Sequence, residues 1–370
     1  MIAIGSNIIT PLGDNLTTNI QQMLSDCSSV KIYDNKWNLP PFAASMFPEN
    51  YIEDLFASYA DSALYTQFEQ LAVLSVAKAL EESKIPVDSR QVVFVVSTTK
   101  GNVHLLENNP QSEDLYLWRS AEKIARFFGN TNPVMMVSNA CISGLAAQVY
   151  AHRLLQQGKY KYVVVVGVDI LSKFIVSGFQ SLKAISNDFC QPFDKDRKGL
   201  NLGEAAATVV YTLEAEHGIF NYCSGAIVND ANHISAPSRT AEGLYKAVKK
   251  MNMSVAPQEL GFINAHGTAT LYNDMMESYC IDRLQMNAVP TNSFKGYIGH
   301  TLGAAGIVET LLSVQSLKEG RVVATKGFKQ QGEEKIINIV HNHLSTDKKY
   351  FLKLISGFGG TNAAGLFSIP

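Results

Sequence analysis

Two short runs constrain this chain more than any other feature: VVFVV at residues 92–96 and YVVVV at residues 162–166. Neither alternates with polar residues, so neither suits a strand with one face in water. An unbroken β-branched or aromatic run is the pattern of a strand covered on both faces. Between the two runs the period changes: Ile142, Leu145, Ala146, Val149, Tyr150 and Leu154 recur at helical spacing, and Gly158 follows as a stop. Strand and helix in alternation predict an α/β protein with mostly buried sheets. The second half has the same grammar, with LGFINA (260–265) as a strand, a helix from about Gly303 to Glu319, and closing strands near 336–340 and 351–355.

Sliding the chain by 162 positions lays Gly144, Leu145, Val149, Tyr150, Leu155 and Gly158 over Gly306, Ile307, Leu311, Leu312, Leu317 and Gly320. We read this as a faint internal duplication, with halves 1–215 and 216–370 and a seam in EAEHGIF at 214–220. With 46% apolar residues, a formal charge of -2 and no long Lys/Arg cluster, the chain has no surface for nucleic acid. No apolar run approaches the roughly 20 residues that span a bilayer. The start, MIAIGSNIITPLG, lacks the basic opening of a secretory signal, so a cytoplasmic protein with no membrane contact is expected. Cys27, Cys141, Cys190, Cys223 and Cys280 are odd in number, scattered and without a CxxC pair, which argues against a disulfide framework or a structural metal site.

Each cysteine is therefore judged singly. Cys141 follows the apolar stretch PVMMVSNA and opens a helix, so its sulfur stands at a strand-to-helix turn where the helix dipole favours a thiolate. Taken alone, a cysteine is more often a small buried apolar side chain, and it is the company Cys141 keeps that points to chemistry. His266, in NAHGTAT, ends a strand, and His300, in GYIGHTLGAAG, lies in a glycine-rich turn opening a helix. A single histidine there has an ordinary structural explanation, but two at matching small-residue turns point to a site. Lys295 can supply charge to that site or pair with Glu309, and the turn SGFGGTNAAG at 356–365 can offer backbone N–H groups to an anion.

Five stretches in order, NACISG, PFDKDRKGLNLGEAA, AHGTATLYND, SFKGYIGHTLGAAGIVE and GFGGTN, resemble the β-ketoacyl-acyl-carrier-protein synthases, the elongating branch of the thiolase superfamily. The resemblance runs from about residue 85 to the C-terminus. Before that, only AIGSNIITPLG resembles the family's opening strand and turn. It implies a five-layered αβαβα fold of two pseudo-symmetric halves. It also implies a decarboxylative Claisen condensation between an acyl group on Cys141 and a malonyl thioester. By the same resemblance His266 and His300 assist decarboxylation and hold the enolate oxygen, and Lys295 is the active-site lysine with Glu309 as its ion partner. The N–H groups of Cys141 and Phe358 form the oxyanion hole, Phe358 gates the cysteine, and Thr268, Thr270 and Gly359 hold the substrate arm. Asp194 and Glu204 match mainly structural positions. No metal and no resident cofactor are implied, because the phosphopantetheine arm arrives on an acyl carrier protein. Relatives dimerise through the strand before the nucleophile, here about residues 133–138, and this chain is expected to form a homodimer or a heterodimer with a related subunit.

The chain departs from the family pattern at Ala269, where glycine is common, and at Gly296 and Tyr297, where smaller polar or sulfur-containing residues are usual. It is also shorter than the usual elongating synthase, chiefly in its N-terminal half, so acyl-chain preference is open among fatty-acid, polyene and polyketide pathways, with a tilt toward a specialised one. A chain-length-factor-like partner subunit is the alternative, though such subunits usually lack the nucleophilic cysteine. A thiolase acting on coenzyme A thioesters fits less well, because GFGGTN carries no second cysteine.

Overall fold

The protein is described here from a computed structural model covering residues 1–230, 232–233, 236–332 and 334–370. Among the described residues ten strands form the main sheet: β1 (Ile2–Ile9), β2 (Val92–Ser97), β3 (Met135–Val137), β4 (Tyr162–Asp169), β5 (Ala205–Thr212), β6 (Phe220–Asn229), β7 (Leu260–Asn264), β8 (Thr291–Asn292), β9 (Tyr350–Gly357) and β10 (Thr361–Ser368). Their spatial order is β8-β7-β9-β10-β6-β1-β5-β4-β2-β3. Each half thus contributes five strands in the same permutation. The directions repeat too. β1 and β5 are antiparallel, as are β5 and β4, while β4, β2 and β3 run parallel. In the second half β6, β10 and β9 are antiparallel neighbours, and β9, β7 and β8 run parallel. The halves join by a short antiparallel pairing of Ile2 and Ala3 with Asn221 and Phe220.

The helices obey the same repeat. α1 (Gln67–Ser83), α2 (Leu117–Phe127) and α3 (Ser143–Gln156) precede β2, β3 and β4, and α4 (Glu242–Lys250), α5 (Leu271–Arg283) and α6 (Ala305–Lys318) precede β7, β8 and β9. α3 and α6 pack on each other between the half-sheets, α1 and α2 cover the outer face of the first half-sheet, and α4 and α5 cover that of the second. The five layers of the αβαβα thiolase-like fold result. Helix α1 starts where Thr66 and Glu69 form a reciprocal capping box.

This layering explains the unbroken valine runs. Along β2, Val93 and Val95 enter the central core with α3 and α6, while Val92, Phe94 and Val96 enter the outer core with α1 and α2. Successive side chains leave a strand on opposite faces, so a doubly covered strand needs apolar residues at every position.

The strand expected near residues 336–340 is not formed. Ile339 makes a single bridge to Thr291 at the edge of the two-residue β8, which offers no longer ladder to extend. Among the described residues no helix is long and apolar enough to cross a membrane.

Candidate active site

The connections that carry the site residues are symmetry equivalents: Cys141 lies between β3 and α3, and His300 between β8 and α6. The turn before Cys141 is tight. Ala140 has a φ of 47°, in the left-handed region that costs an alanine about 1–2 kcal/mol. The Ser143 hydroxyl bridges that turn, accepting the Asn139 N–H at 2.8 Å and donating to the Ala140 carbonyl at 2.6 Å. His266 leaves the end of β7 on a loop whose backbone is held by two acids of α5. Glu277 accepts the N–H groups of His266 and Gly267 at 2.6 and 2.7 Å, and Asp274 accepts those of Thr268 and Ala269 at 2.9 and 3.1 Å. Gly267 has a φ of 46° and a Cβ there would lie 2.5 Å from the Ser293 Cβ, so only glycine fits. Ala269 has a φ of 60° and tolerates it as a single strained residue.

The Cys141 sulfur and one ring nitrogen of each histidine lie within 4.8 Å of one another, all buried. The imidazoles meet edge to face with centroids 4.9 Å apart. Leu302, itself at a φ of 52°, donates its N–H to His300 Nδ1 at 3.2 Å. Nδ1 is therefore the acceptor and Nε2 carries the proton, which is buried and has no partner among the described residues. Burial first, and then the charge of Lys295, hold His266 and His300 well below the usual histidine range. Both are neutral hydrogen-bond donors at pH 7. Three such ligand atoms can also hold a metal ion, but His300 Nε2 carries a proton where a metal needs a lone pair. The triangle suits a nucleophile with two N–H donors better than it suits a cation.

The sulfur is a thiol at rest, not the thiolate expected from the helix dipole. Burial pushes Cys141 up to about 11, against the opposing charges of Lys295 and Lys100 and the facing Phe358 N–H. The dipole of α3 is present, but α3 begins only at Ser143, and loss of water outweighs its partial charge.

Lys295 is fully buried and does not line the cavity; its Nζ donates to the His266 carbonyl and to Glu309 Oε1, both at 2.6 Å. A cavity of about 440 Å³ opens on Cys141, His266 and His300 and is walled by Thr268, Thr270, Gly357 and Phe358. The hydroxyls of Thr268 and Thr270 stand 2.8 Å apart on that wall. Gly359 is exposed at the tip of its turn, outside the wall that Gly357 and Gly360 form. Asp194 and Glu204 lie away from the sulfur. Asp194 ties the 193–197 loop to the N–H groups of Lys329 and Gln330 at 2.7 and 2.9 Å. Glu204 accepts from Phe47 and Leu171, each at 2.9 Å, and burial pushes it up to about 7.

Sequence reasoning passed over four residues. Phe179 stacks on Phe358 at 5.9 Å and lines the cavity, with nothing in its helical context to mark it. Asp274 stands inside the AHGTATLYND stretch and Glu277 three residues on, a helical spacing of acids next to a loop rich in free N–H groups. Lys353 sits in β9 and joins Glu309 from the side opposite Lys295.

Comparison with known proteins bears on this geometry. The family "Beta-ketoacyl synthase, N-terminal domain" matches residues 2–217 and "Beta-ketoacyl synthase, C-terminal domain" matches residues 222–329. A 3-oxoacyl-[acyl-carrier-protein] synthase 2 of Coxiella burnetii is 27% identical, with 100% of this chain and 98% of that one covered. The solved ishigamide ketosynthase/chain length factor superposes with a TM-score of 0.90 at 22% identity, covering 100% of this chain and 98% of that one. A type II polyketide ketosynthase solved with its acyl-carrier protein and bound to a hexaketide gives a TM-score of 0.85 at 20% identity, with 100% and 98% covered.

Proposed function

The chain belongs to the β-ketoacyl synthase family, and from that premise we propose that it is a 3-oxoacyl-[acyl-carrier-protein] synthase in which Cys141, His266 and His300 carry the chemistry. The observation that bears most weight is the buried His300 Nε2–H, unpartnered beside the sulfur and fixed in that tautomer by the Leu302 N–H.

In the first half-reaction the Cys141 sulfur attacks an acyl thioester on a carrier protein. Its proton passes to the departing pantetheine sulfur, and the N–H groups of Cys141 and Phe358 hold the tetrahedral oxyanion. In the second, the C–C bond to the malonyl carboxylate breaks, carbon dioxide leaves, and the electron pair enters the thioester as an enolate. N–H donors on His300 and His266 face the enolate oxygen, each worth about 3–4 kcal/mol when well aimed. The enolate carbon attacks the acyl carbonyl on Cys141, and collapse of that intermediate expels the sulfur as a thiolate, which takes a proton from solvent to restore the thiol, and leaves a 3-oxoacyl thioester on the carrier. Thr268 and Thr270 hold the pantetheine arm, and the neutral imidazoles need no proton change to work.

The partner is an acyl carrier protein, as in the ketosynthase complex to which the fold is similar. Strand β3 ends the ten-stranded order and is only half buried, which supports pairing with a second subunit, either a copy of this chain or a chain-length-factor-like relative. Intact-mass measurement after incubation with an acyl-carrier-protein primer tests the covalent step. Added acyl mass that is absent from Cys141→Ala is expected; no added mass with any primer overturns the reading in favour of a non-elongating partner subunit.

A further inference from the structure

Lys353 has no part in the steps above and does not line the cavity, yet its side chain is fully buried. Lysine is among the residues least often buried, and a buried ammonium is tolerated only when paired. Here two ammonium groups share one carboxylate: Lys295 takes Glu309 Oε1 and Lys353 takes Oε2. One lysine suffices to neutralise Glu309. The second must be explained by what else it touches.

Lys353 Nζ donates to the Leu354 carbonyl at 3.0 Å and lies 3.4 and 3.5 Å from the carbonyls of Ala265 and Asn264. Lys295 Nζ donates to the carbonyl of His266, the next residue. Three successive carbonyls at the end of β7 therefore face two ammonium groups, and the third belongs to the histidine beside the sulfur. Lys353 is also among the charges that hold both His266 and His300 neutral. The charged groups facing it are Glu309 on α6, Lys295 after β8 and Glu277 on α5, and burial lowers its own ionisation below the ordinary lysine range.

We propose that Lys353 is a positioning residue for the condensation half-reaction: with Lys295 it clamps the carbonyls of residues 264–266 and sets a second positive charge behind the imidazoles that receive the enolate. The proposal rests on the function given above. Acyl loading of Cys141 uses the Phe358 side of the sulfur and should not depend on it. Removing Lys353 leaves the Lys295–Glu309 pair in place, while Glu309 Oε2 and the carbonyls of Asn264, Ala265 and Leu354 lose one donor.

The test compares wild type, Lys353→Met and Lys353→Arg for acyl loading by intact mass, carbon dioxide release from malonyl-carrier protein between pH 6 and 10, and melting temperature. We expect Lys353→Met to load within about threefold of wild type and to melt only a few degrees lower, the cost of the lost hydrogen bonds. Its decarboxylation falls about 30-fold, less than the 10²–10³ lost with a directly contacting donor. The decline of wild-type decarboxylation at alkaline pH, where Lys353 loses its proton, should vanish in Lys353→Met, and Lys353→Arg should recover most of the lost rate. Equal decarboxylation in wild type and Lys353→Met overturns the proposal alone, as does a Lys353→Met chain that unfolds or melts far below wild type, which makes the residue structural. A wild type that neither loads nor decarboxylates overturns the function and this inference with it.

Discussion

Gly144 and Gly306, 162 positions apart, meet backbone to backbone where α3 crosses α6. A Cβ on Gly306 would stand 2.2 Å from the Leu145 nitrogen, and one on Gly144 would stand 2.9 Å from the Ile307 nitrogen. The next symmetric pair is polar. Gln148 and Thr310 both donate to the Gly306 carbonyl, at 3.0 and 2.7 Å, and Tyr211 donates to Gln148 Oε1 at 2.7 Å. The pseudo-twofold axis thus passes between two glycines. Closeness there is what lets Cys141, before α3, reach His300, before α6.

Gly306→Ala should therefore cost about 3–5 kcal/mol or prevent folding, because the clash is with backbone that cannot swing away. Gly178→Ala is the control. It lies in the 173–181 helix with open space around its Cα, and alanine there should gain up to about 1 kcal/mol. Urea unfolding of the two variants beside wild type checks both signs.

The alkylation of Cys141 reports its buried state. Because burial pushes the thiol up to about 11, the thiolate fraction is small at neutral pH and grows tenfold per unit up to that value. Iodoacetamide should thus react ever faster through pH 10, whereas an ordinary exposed thiol levels off near 8.5. Peptide mass mapping of the modified site against pH checks it, and a plateau near pH 8 would show that the helix dipole does win.

What the sequence revealed of this site follows from where its information lies. Cys141, His266 and His300 sit in turns whose local demands, small residues and left-handed backbone, leave marks within a few positions. The doubly covered strands were equally legible, since burial on both faces removes polar residues outright. Lys353 and Phe179 left no such mark: one acts through Glu309, 44 positions away, and the other through Phe358, far along the chain. The apolar IINIV stretch at 336–340 misled for the opposite reason, its pattern being sound while β8 beside it is too short to pair with. The thiolate expectation weighed a dipole without the desolvation that only the packed structure supplies.

Asp194 joins two distant loops, and its charge is part of the joint. Burial opposes ionisation, but the N–H groups of Gln330, Asp196 and Lys329 carry the carboxyl below its ordinary value. A folded-state value below the unfolded one adds stability that is present above the unfolded value and lost as pH falls through the folded one. Asp194→Asn should cost about 2–3 kcal/mol at pH 7, the worth of hydrogen bonds to a charged group. The deficit should shrink near pH 3, below the ordinary aspartate value of about 3.9, where the unfolded chain takes up the proton. Denaturant melts at the two pH values check the prediction, and an equal deficit at both would assign the loss to packing instead of charge.

His300 separates the two half-reactions most cleanly. Its Nε2–H faces the triangle only because Leu302 fills Nδ1, so a replacement succeeds in proportion to how well it returns an N–H to that point. Glutamine places its amide nitrogen near the position of Nε2, whereas alanine returns nothing. With His300→Ala, decarboxylation of malonyl-carrier protein should fall about 10²–10³-fold, the loss found when one oxyanion donor is removed. His300→Gln should lose about tenfold less than that. Acyl loading of Cys141 should stay near wild type in both, because the resting sulfur is a thiol facing Phe358 and not an ion pair with His300. Intact mass measures loading and released carbon dioxide measures decarboxylation on the same samples. If loading collapses along with decarboxylation, His300 must act as the base for the thiol, and the division of labour between the two sides of Cys141 would have to be redrawn.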